Sequence, residues 1–314
     1  MKKHITVLQA EAVRALNLKP DSVVVDATYG GGGHALSICR SLDENGVYIG
    51  IDADKAAFLN KRKELEETKP VIHLVNDNFS NLEQILGSLH IKKVDAILAD
   101  LGWRTDQFEG GGKGFSFQAD EPLLMTYGQP EDNIFTAYDL VNTWAEEDLA
   151  NVLYGYGDER FARRIAKAIV TAREKTPIST ARQLAEIITQ AVPKQSAYKK
   201  SINPATKSFQ AIRIAVNDEL KVLEKFVDQA AFFLEQEGRL AIISFHSIED
   251  RIVKLKFREL AETEEFELVV KKPITANEEE LSKNPRARSA KLRIIRKIFL
   301  TDKTQHEYKG NHQE

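Results

Sequence analysis

The glycine-rich stretch from Val23 to His34 is the feature that most constrains the fold of this 314-residue chain. Three consecutive valines predict a buried strand, Asp26 closes it, and glycines at 30–33 precede a helical pattern. Glycines let a ligand approach bare backbone N–H groups at a helix N-terminus. This order of strand, glycine turn and helix predicts the nucleotide-binding corner of an open α/β sheet.

Two cofactor classes use such a corner, and the glycines alone fit both. A second predicted strand, 47–51, ends in Asp52, about 20 residues after the glycines, where an acid can bind the ribose hydroxyls of either class. Asp26 distinguishes the two cofactor classes, because its carboxylate would repel a pyrophosphate but could help to hold a cationic amino acid group, directly or through water. The stretch therefore favours S-adenosylmethionine over NAD.

Strand and helix patterns alternate through the first hundred residues, which predicts parallel strands joined by right-handed crossovers. From Gln107 to about Ile202 only helical patterns occur, so we expect a helical domain inserted into the sheet domain. The predicted division is 1–106 with 208–314 for the sheet domain and 107–207 for the insertion. Further strands are predicted at 71–75, 94–99, 239–245, 266–270 and 292–298, and helices near 34–42, 54–67, 81–89, 145–154, 158–173, 179–191 and 208–224.

The composition limits the functional classes. A hydrophobic content of 42% and a charged content of 29% are typical of a soluble globular protein. The single cysteine excludes an intramolecular disulfide and favours a reducing, cytoplasmic location. No apolar run approaches the roughly 20 residues of a membrane span, and no His/Cys spacing predicts a metal site, so we expect neither a membrane nor a metal.

The net charge of −3 argues against a generally basic surface for nucleic acid, so any RNA contact must come from local patches. Two basic patches suggest a groove that binds the phosphate backbone. The segment 283–297 carries seven Lys and Arg residues, including Arg286 and Arg288, and no acid. The other patch, in the insertion, consists of Arg160, Arg163, Arg164 and Lys167. A basic edge strand that discourages sheet pairing is the alternative for the first patch.

Ordered sequence blocks over nearly the whole chain make it similar to a known family. They are His4–Leu8, Asp26–His34, Lys113–Gln118, Tyr156–Ala162, Asn203–Ile214, Ser244–Lys254 and Asn284–Arg293. Together they resemble the bacterial MraW-type methyltransferases, which use S-adenosylmethionine to methylate a cytosine N4 in small-subunit (16S) ribosomal RNA. The resemblance implies a class I (Rossmann-like) methyltransferase sheet domain with an inserted all-helical domain, and the late strands suit the antiparallel hairpin that ends such a sheet.

The resemblance also implies a cofactor site. The family's cofactor contacts correspond here to Gly32, Gly33, His34, Asp52, Phe79, Asp100 and Gln107. The partner that it implies is small-subunit ribosomal RNA, expected within an assembled particle, and it leaves a homodimer open.

Methylation of an exocyclic amine is difficult because the nitrogen lone pair is delocalised into the ring. We expect Asp100, or backbone beside it, to accept a hydrogen bond from the amine, and Trp103 to stack on the flipped base. His246, between a strand and a helix, is expected to orient the base or a phosphate. The alternatives are a turn acid for Asp100, core packing for Trp103 and a simple helix start for His246.

The predicted helix 208–224 presents Arg213 and Asn217 on a polar face that could reach RNA, although a solvated face is the alternative. Residues 103–105 and 124–127 differ from the family pattern. Two further readings therefore stay open, namely a methyltransferase with a different RNA or DNA cytosine target, and an RNA-binding protein without turnover.

Overall fold

The computed structural model describes residues 5–59, 61–101, 112–117, 120–127, 135–193 and 203–299. Its contacts divide the chain into two compact units. The sheet unit comprises Met1–Gly102 and Lys221–Glu314, and the helical unit comprises Trp103–Leu220. The sequence placed the second boundary at 207/208 instead. Residues 208–220 belong to the helical unit because the helix Thr206–Val216 packs against the helix Glu146–Gly157.

Seven strands form one sheet within the described part of the chain, in the order β3-β2-β1-β4-β5-β7-β6. β1 to β5 are parallel, and β7 runs antiparallel to both β5 and β6. This arrangement confirms the predicted α/β class and the antiparallel hairpin at its end. The strands are β1 Val23–Asp26, β2 Val47–Asp52, β3 Val71–Asn76, β4 Val94–Asp100, β5 Leu234–Ser244, β6 Phe266–Leu268 and β7 Lys291–Lys297.

The α-helices are α1 Gln9–Leu16, α2 Gly33–Cys39, α3 Arg62–Glu66, α4 Leu82–Ser88, α5 Ala137–Thr143, α6 Glu146–Gly157, α7 Ala162–Arg173, α8 Ala181–Ala191, α9 Thr206–Val216, α10 Glu219–Phe233, α11 Ser247–Glu262 and α12 Glu278–Lys283. Short 3-10 turns occupy Lys55–Leu59, Phe79–Asn81 and Pro285–Ser289. The sequence patterns did not predict α1, α5 or α12. No helix in the described ranges is both long and apolar enough to cross a bilayer.

The prediction of one continuous helix over 208–224 is wrong. The structure has two helices, α9 and α10, because Asp218 between them adopts a left-handed backbone with φ of 47°. A left-handed residue ends an α-helix, since it cannot continue the right-handed hydrogen-bond ladder.

The sheet is buried on both faces by alternate residues of its strands. Val24, Tyr48 and Leu98 belong to the core that includes α1 and α2. Their neighbours along the strands belong to the core that includes α4, α10 and α11. The helical unit has its own core, in which the apolar faces of α5 to α9 meet.

Candidate active site

The carboxyl edge of the sheet brings together the three strand-end acids that the sequence singled out. Asp52, Asp26 and Asp100 end β2, β1 and β4, which are neighbours in the sheet. Ligands of open α/β sheets bind outside the carboxyl ends of the strands. The register therefore places the candidate residues where a cofactor is expected.

The glycine turn after β1 is shaped by a close approach of the N-terminal segment. Gly32 has φ of +71° and precedes α2. A Cβ on Gly33 would lie 1.8 Å from Thr6 Oγ1, so only glycine fits there. The side chain of Gln9 donates to Gly33 O at 2.7 Å and to Ser37 Oγ at 2.8 Å. These contacts fix the turn, and no local signal in the sequence indicated them.

The same N-terminal segment is held from its other side by residues near the C-terminus. Leu8 N donates to Glu280 Oε1 at 2.7 Å, and Asn284 Nδ2 donates to Ile5 O at 3.1 Å. The 3-10 turn that follows Asn284 carries Arg286 and Arg288, both exposed. Within the sheet unit, this basic turn is thus connected to the glycine turn through residues 5–9.

Asp52 is oriented by backbone donors on both of its carboxylate oxygens. Oδ2 accepts from Gly30 N at 2.8 Å and Oδ1 accepts from Asp54 N at 2.8 Å. These donors orient the Asp52 carboxylate at the carboxyl end of β2.

Asp26 is fully buried and holds two hydrogen bonds within the sheet unit. Tyr48 Oη donates to Oδ2 at 2.8 Å, and Thr28 N donates to Oδ1 at 3.4 Å. Burial raises the pKa of Asp26 to about 6, although nearby His34 and the Tyr48 hydrogen bond oppose the rise. Sequence reasoning missed Tyr48, and the only signal for it was a polar hydroxyl in an otherwise aliphatic strand.

His34 and Asp100 face each other with unused polar atoms. His34 is 4% exposed, and its Nε2 lies 3.5 Å from Asp100 Oδ2, beyond good hydrogen-bond distance. Among the described residues, no hydrogen-bond partner is found for either ring nitrogen of His34 or for Asp100 Oδ1. Buried polar atoms without partners are rare, because each one costs free energy. This pair is therefore where a polar ligand would be stabilised.

Phe79 opens the 3-10 turn after β3 and is held edge-on against Phe226, with ring centroids 5.0 Å apart. The turn itself is stiffened by Asp77 Oδ1, which accepts from Asn78 N at 2.6 Å and from Asn81 Nδ2 at 2.8 Å. A fixed, half-buried aromatic ring offers a flat apolar surface of the kind that suits a heterocyclic base.

His246 occupies the N-cap of α11. Its Nδ1 accepts from Glu249 N at 3.4 Å, so in the neutral ring Nε2 carries the proton, and Nε2 lies 2.9 Å from Glu249 Oε1. The Glu249 carboxylate also accepts from Phe245 N at 3.0 Å. These contacts form a capping box and explain the position of the ring without a ligand.

Arg213 and Asn217 have structural partners inside the helical unit, in place of the predicted solvent-facing positions. Arg213 is 7% exposed and forms a bidentate pair with Glu219, at 2.8 and 2.9 Å. Asn217 Nδ2 donates to Met125 O at 2.7 Å and its Oδ1 accepts from Tyr127 N at 2.9 Å. Both side chains thus fix local structure, and their role as RNA contacts stays a prediction.

Most cations of the segment 283–297 are neutralised by carboxylates of the sheet unit. Lys291 and Arg293 bind Asp250 at 2.8 and 2.7 Å. The other pairs are Lys283 with Glu279 at 2.6 Å, and Arg296 with Glu237 and Glu267 at 2.7 and 2.6 Å. The segment is therefore far less cationic in the fold than in the sequence, and its exposed cations include Arg286 and Arg288.

Comparison with known proteins decides the family. Residues 1–298 match the model of the MraW methylase family. The chain belongs to this family. It is 42% identical to the ribosomal RNA small subunit methyltransferase H of Clostridium botulinum (strain Loch Maree / Type A3), with 94% of this chain and 99% of that one covered. The protein of the same name from Clostridioides difficile (strain 630) is 40% identical over the same shares. The Oceanobacillus iheyensis protein of that name is 42% identical over 98% of each chain.

The cofactor of a MraW methylase fits the carboxyl edge of this sheet. The decisive observation is that His34 and Asp100 keep buried polar atoms without partners in the described part of the chain, beside the glycine turn. Asp52, oriented by two backbone donors, ends the neighbouring strand β2. Two predicted residues of the site, Trp103 and Gln107, lie outside the described residues.

Proposed function

We propose that this MraW methylase transfers a methyl group from S-adenosylmethionine to the N4 amine of a cytidine in small-subunit ribosomal RNA. The observation that carries the proposal is the pair His34 and Asp100, whose unpartnered polar atoms lie beside the glycine turn in a chain of this family. Relatives that match it over nearly their full length are named for small-subunit ribosomal RNA methylation.

The cofactor is assigned to the carboxyl edge. The turn Gly32-Gly33-His34 borders it, Asp52 accepts from the ribose hydroxyls, and Phe79 packs against the adenine. Asp26 supplies negative charge near the ammonium of the amino acid group, and its complete burial favours a water-mediated contact over a direct one. Gln107 is proposed as a further contact. When bound, S-adenosylmethionine supplies an electrophilic methyl group on its sulfonium.

Asp100 is proposed to act on the amine. Its carboxylate accepts a hydrogen bond from one N–H of the amino group, which localises the nitrogen lone pair toward the methyl group. Transfer of the methyl group to the nitrogen would break its bond to the sulfonium sulfur and leave a neutral thioether, and Asp100 would accept the proton that the nitrogen loses. His34 lies 3.5 Å from Asp100 Oδ2 and is proposed to border the same ligand position. Neither a metal ion nor a covalent enzyme intermediate is needed for this displacement.

The remaining roles concern RNA. Trp103 is proposed to stack on the flipped cytosine, and His246 to orient the base or a phosphate. Arg286 and Arg288 are proposed to bind phosphates near the site, because they are exposed on the turn connected to the glycine turn. The substrate is proposed to be RNA within an assembled particle in the cytoplasm, and a homodimer is compatible with this proposal.

Nucleoside mapping of small-subunit ribosomal RNA tests the proposed function. Cells that lack the gene are expected to lose one N4-methylated cytidine, which the intact gene restores and the Asp100→Ala gene does not. Purified protein with a radiolabelled methyl donor, offered naked RNA or assembled subunits, then identifies the preferred substrate. An unchanged modification map would contradict the proposal. Labelling of another RNA or of DNA would indicate a different target, and RNA binding without labelling would indicate a binding protein.

A further inference from the structure

Helix α7 of the helical unit carries an unusual charge pattern. It carries three exposed cations, Arg163, Arg164 and Lys167. Lys167 lies four residues after Arg163 and three after Arg164, so the three share one side of the helix, which we term the cationic stripe. The helix contains no acidic residue. Its other face is buried through Ala162, Ile165, Ala166 and Ile169. The stripe is thus a fixed, solvent-facing row of positive charge.

The stripe differs from the basic segment 283–297 in its partners. In that segment, Asp250 alone binds two cations, and three glutamates bind others. Within the described ranges, no salt bridge is found for Arg163, Arg164 or Lys167, whereas Lys207 and Arg213 of the same unit pair with acids. The folded protein has therefore neutralised most of one basic patch and left the other charged.

Helix stability does not account for the stripe. Arg163 and Arg164 lie in the first turn of α7, where the positive end of the helix dipole disfavours cations. That turn has neither an acidic residue nor a side-chain cap. The two first-turn arginines therefore meet an unfavourable dipole field that no acid of that turn offsets, and an anionic partner would offset it.

We propose that the cationic stripe of α7 binds the phosphate backbone of the RNA substrate. The inference rests on the proposed function, and it names the second contact surface that this function requires. RNA is the fitting partner because phosphates are dense, regularly spaced anions that bind Arg and Lys without needing a shaped pocket. In a chain of net charge −3, such binding depends on a local patch of this kind.

The test compares two full-length triple variants with equal loss of charge. The stripe variant is Arg163→Ala/Arg164→Ala/Lys167→Ala, in which alanine preserves the helix. The control is Lys92→Ala/Lys225→Ala/Arg258→Ala, which removes three exposed cations of the sheet unit. Binding to transcribed small-subunit ribosomal RNA is measured over a range of salt concentrations, together with S-adenosylmethionine affinity and methyl-transfer kinetics.

The stripe variant is expected to bind RNA at least tenfold more weakly, and the slope of log K against log[salt] is expected to fall by about 2, since each lost phosphate contact contributes ~0.7. Cofactor affinity and kcat at saturating RNA should match the wild type, whereas KM for RNA rises. The variant Arg163→Lys/Arg164→Lys should keep the wild-type slope.

Equal losses in the stripe variant and the control would overturn the inference, because only net charge would then matter. An unchanged slope and KM in the stripe variant would overturn it as well, and the proposed function would stand if the wild type methylates the RNA. If the wild type binds RNA through the stripe but transfers no methyl group to it, the stripe is supported and the proposed function fails.

Discussion

Asp26 is a fully buried carboxyl group whose two hydrogen-bond partners, Tyr48 and Thr28, are neutral donors. Burial disfavours the ionised form, which is why the pKa of Asp26 rises to about 6. The native state thus binds the Asp26 proton more tightly than the unfolded chain does. A cationic ligand nearby would reverse this effect and would favour the carboxylate.

We predict that Asp26→Asn changes the pH dependence of folding stability. Between pH 4 and 6 native Asp26 is protonated and unfolded Asp26 is not, so the contribution of Asp26 to the free energy of unfolding falls as the pH rises. The fall amounts to about 3 kcal/mol and levels off above pH 6. The variant lacks this component, and the difference between the two proteins should follow the same curve in urea unfolding at pH 4 to 8. Parallel curves would contradict the role of burial.

Asp100 allows a sharper separation between binding and chemistry. We predict that Asp100→Asn lowers kcat for methyl transfer by ~10²–10³-fold, since the amide lacks the charge that accepts the amine proton. Calorimetry should show a much smaller change in S-adenosylmethionine affinity. A loss confined to cofactor affinity, with kcat intact at saturation, would assign Asp100 to cofactor binding alone.

At the scale of elements, the junction of α9 and α10 depends on side chains that the sequence assigned to RNA. Asn217 hydrogen-bonds the backbone of a loop at Met125 and Tyr127, and Met125 has φ of 51°. Arg213 is paired with Glu219. These contacts hold an irregular segment that lacks a hydrogen-bond ladder of its own.

We predict that Arg213→Ala destabilises the helical unit by about 3–5 kcal/mol, because it leaves Glu219 without its buried partner. Asn217→Ala should cost about 1–3 kcal/mol through two unsatisfied backbone groups. Thermal unfolding measures both changes. In the fraction that remains folded, the salt slope of RNA binding should equal that of the wild type, and a reduced slope would restore the RNA role.

Local patterns predicted the elements that position the site, because a valine run, an acid and a glycine turn are all contiguous. The positions of Asp26, Asp52 and Asp100 at strand ends were predicted in this way. Contacts between distant segments were not predictable: Tyr48 with Asp26 joins two strands, and Thr6 with Gly33 joins the N-terminus to α2. The break between α9 and α10 did have a local signal, since Asn and Asp tolerate the left-handed backbone that occurs at Asp218.

At the scale of the whole molecule, the two units have separate hydrophobic cores, with all the core residues of α7 and α8 in the core of the helical unit. The proposed cofactor contacts in the described residues all belong to the sheet unit. A ligand that binds only the native sheet unit stabilises that unit by mass action.

We predict that S-adenosylmethionine slows hydrogen exchange in the sheet unit, around β1, β2 and β4, and leaves α7 and α8 unchanged. At 100 times its Kd the stabilisation is ~2.7 kcal/mol, which slows exchange about 100-fold for amides that open with the unit. Mass spectrometry of peptic fragments measures this. Equal protection across both units would show that they unfold together.

The order of the strands in the sheet also affects folding during synthesis. β4 pairs with β5, yet the helical unit is encoded between them, so a growing chain presents β4 long before its partner exists. At 5–20 residues per second, the ribosome needs roughly 6 to 24 s to synthesise the intervening Trp103–Leu220. During that time an apolar strand edge stays open to other nascent chains, so the protein should depend on chaperones during synthesis more than its folded stability suggests.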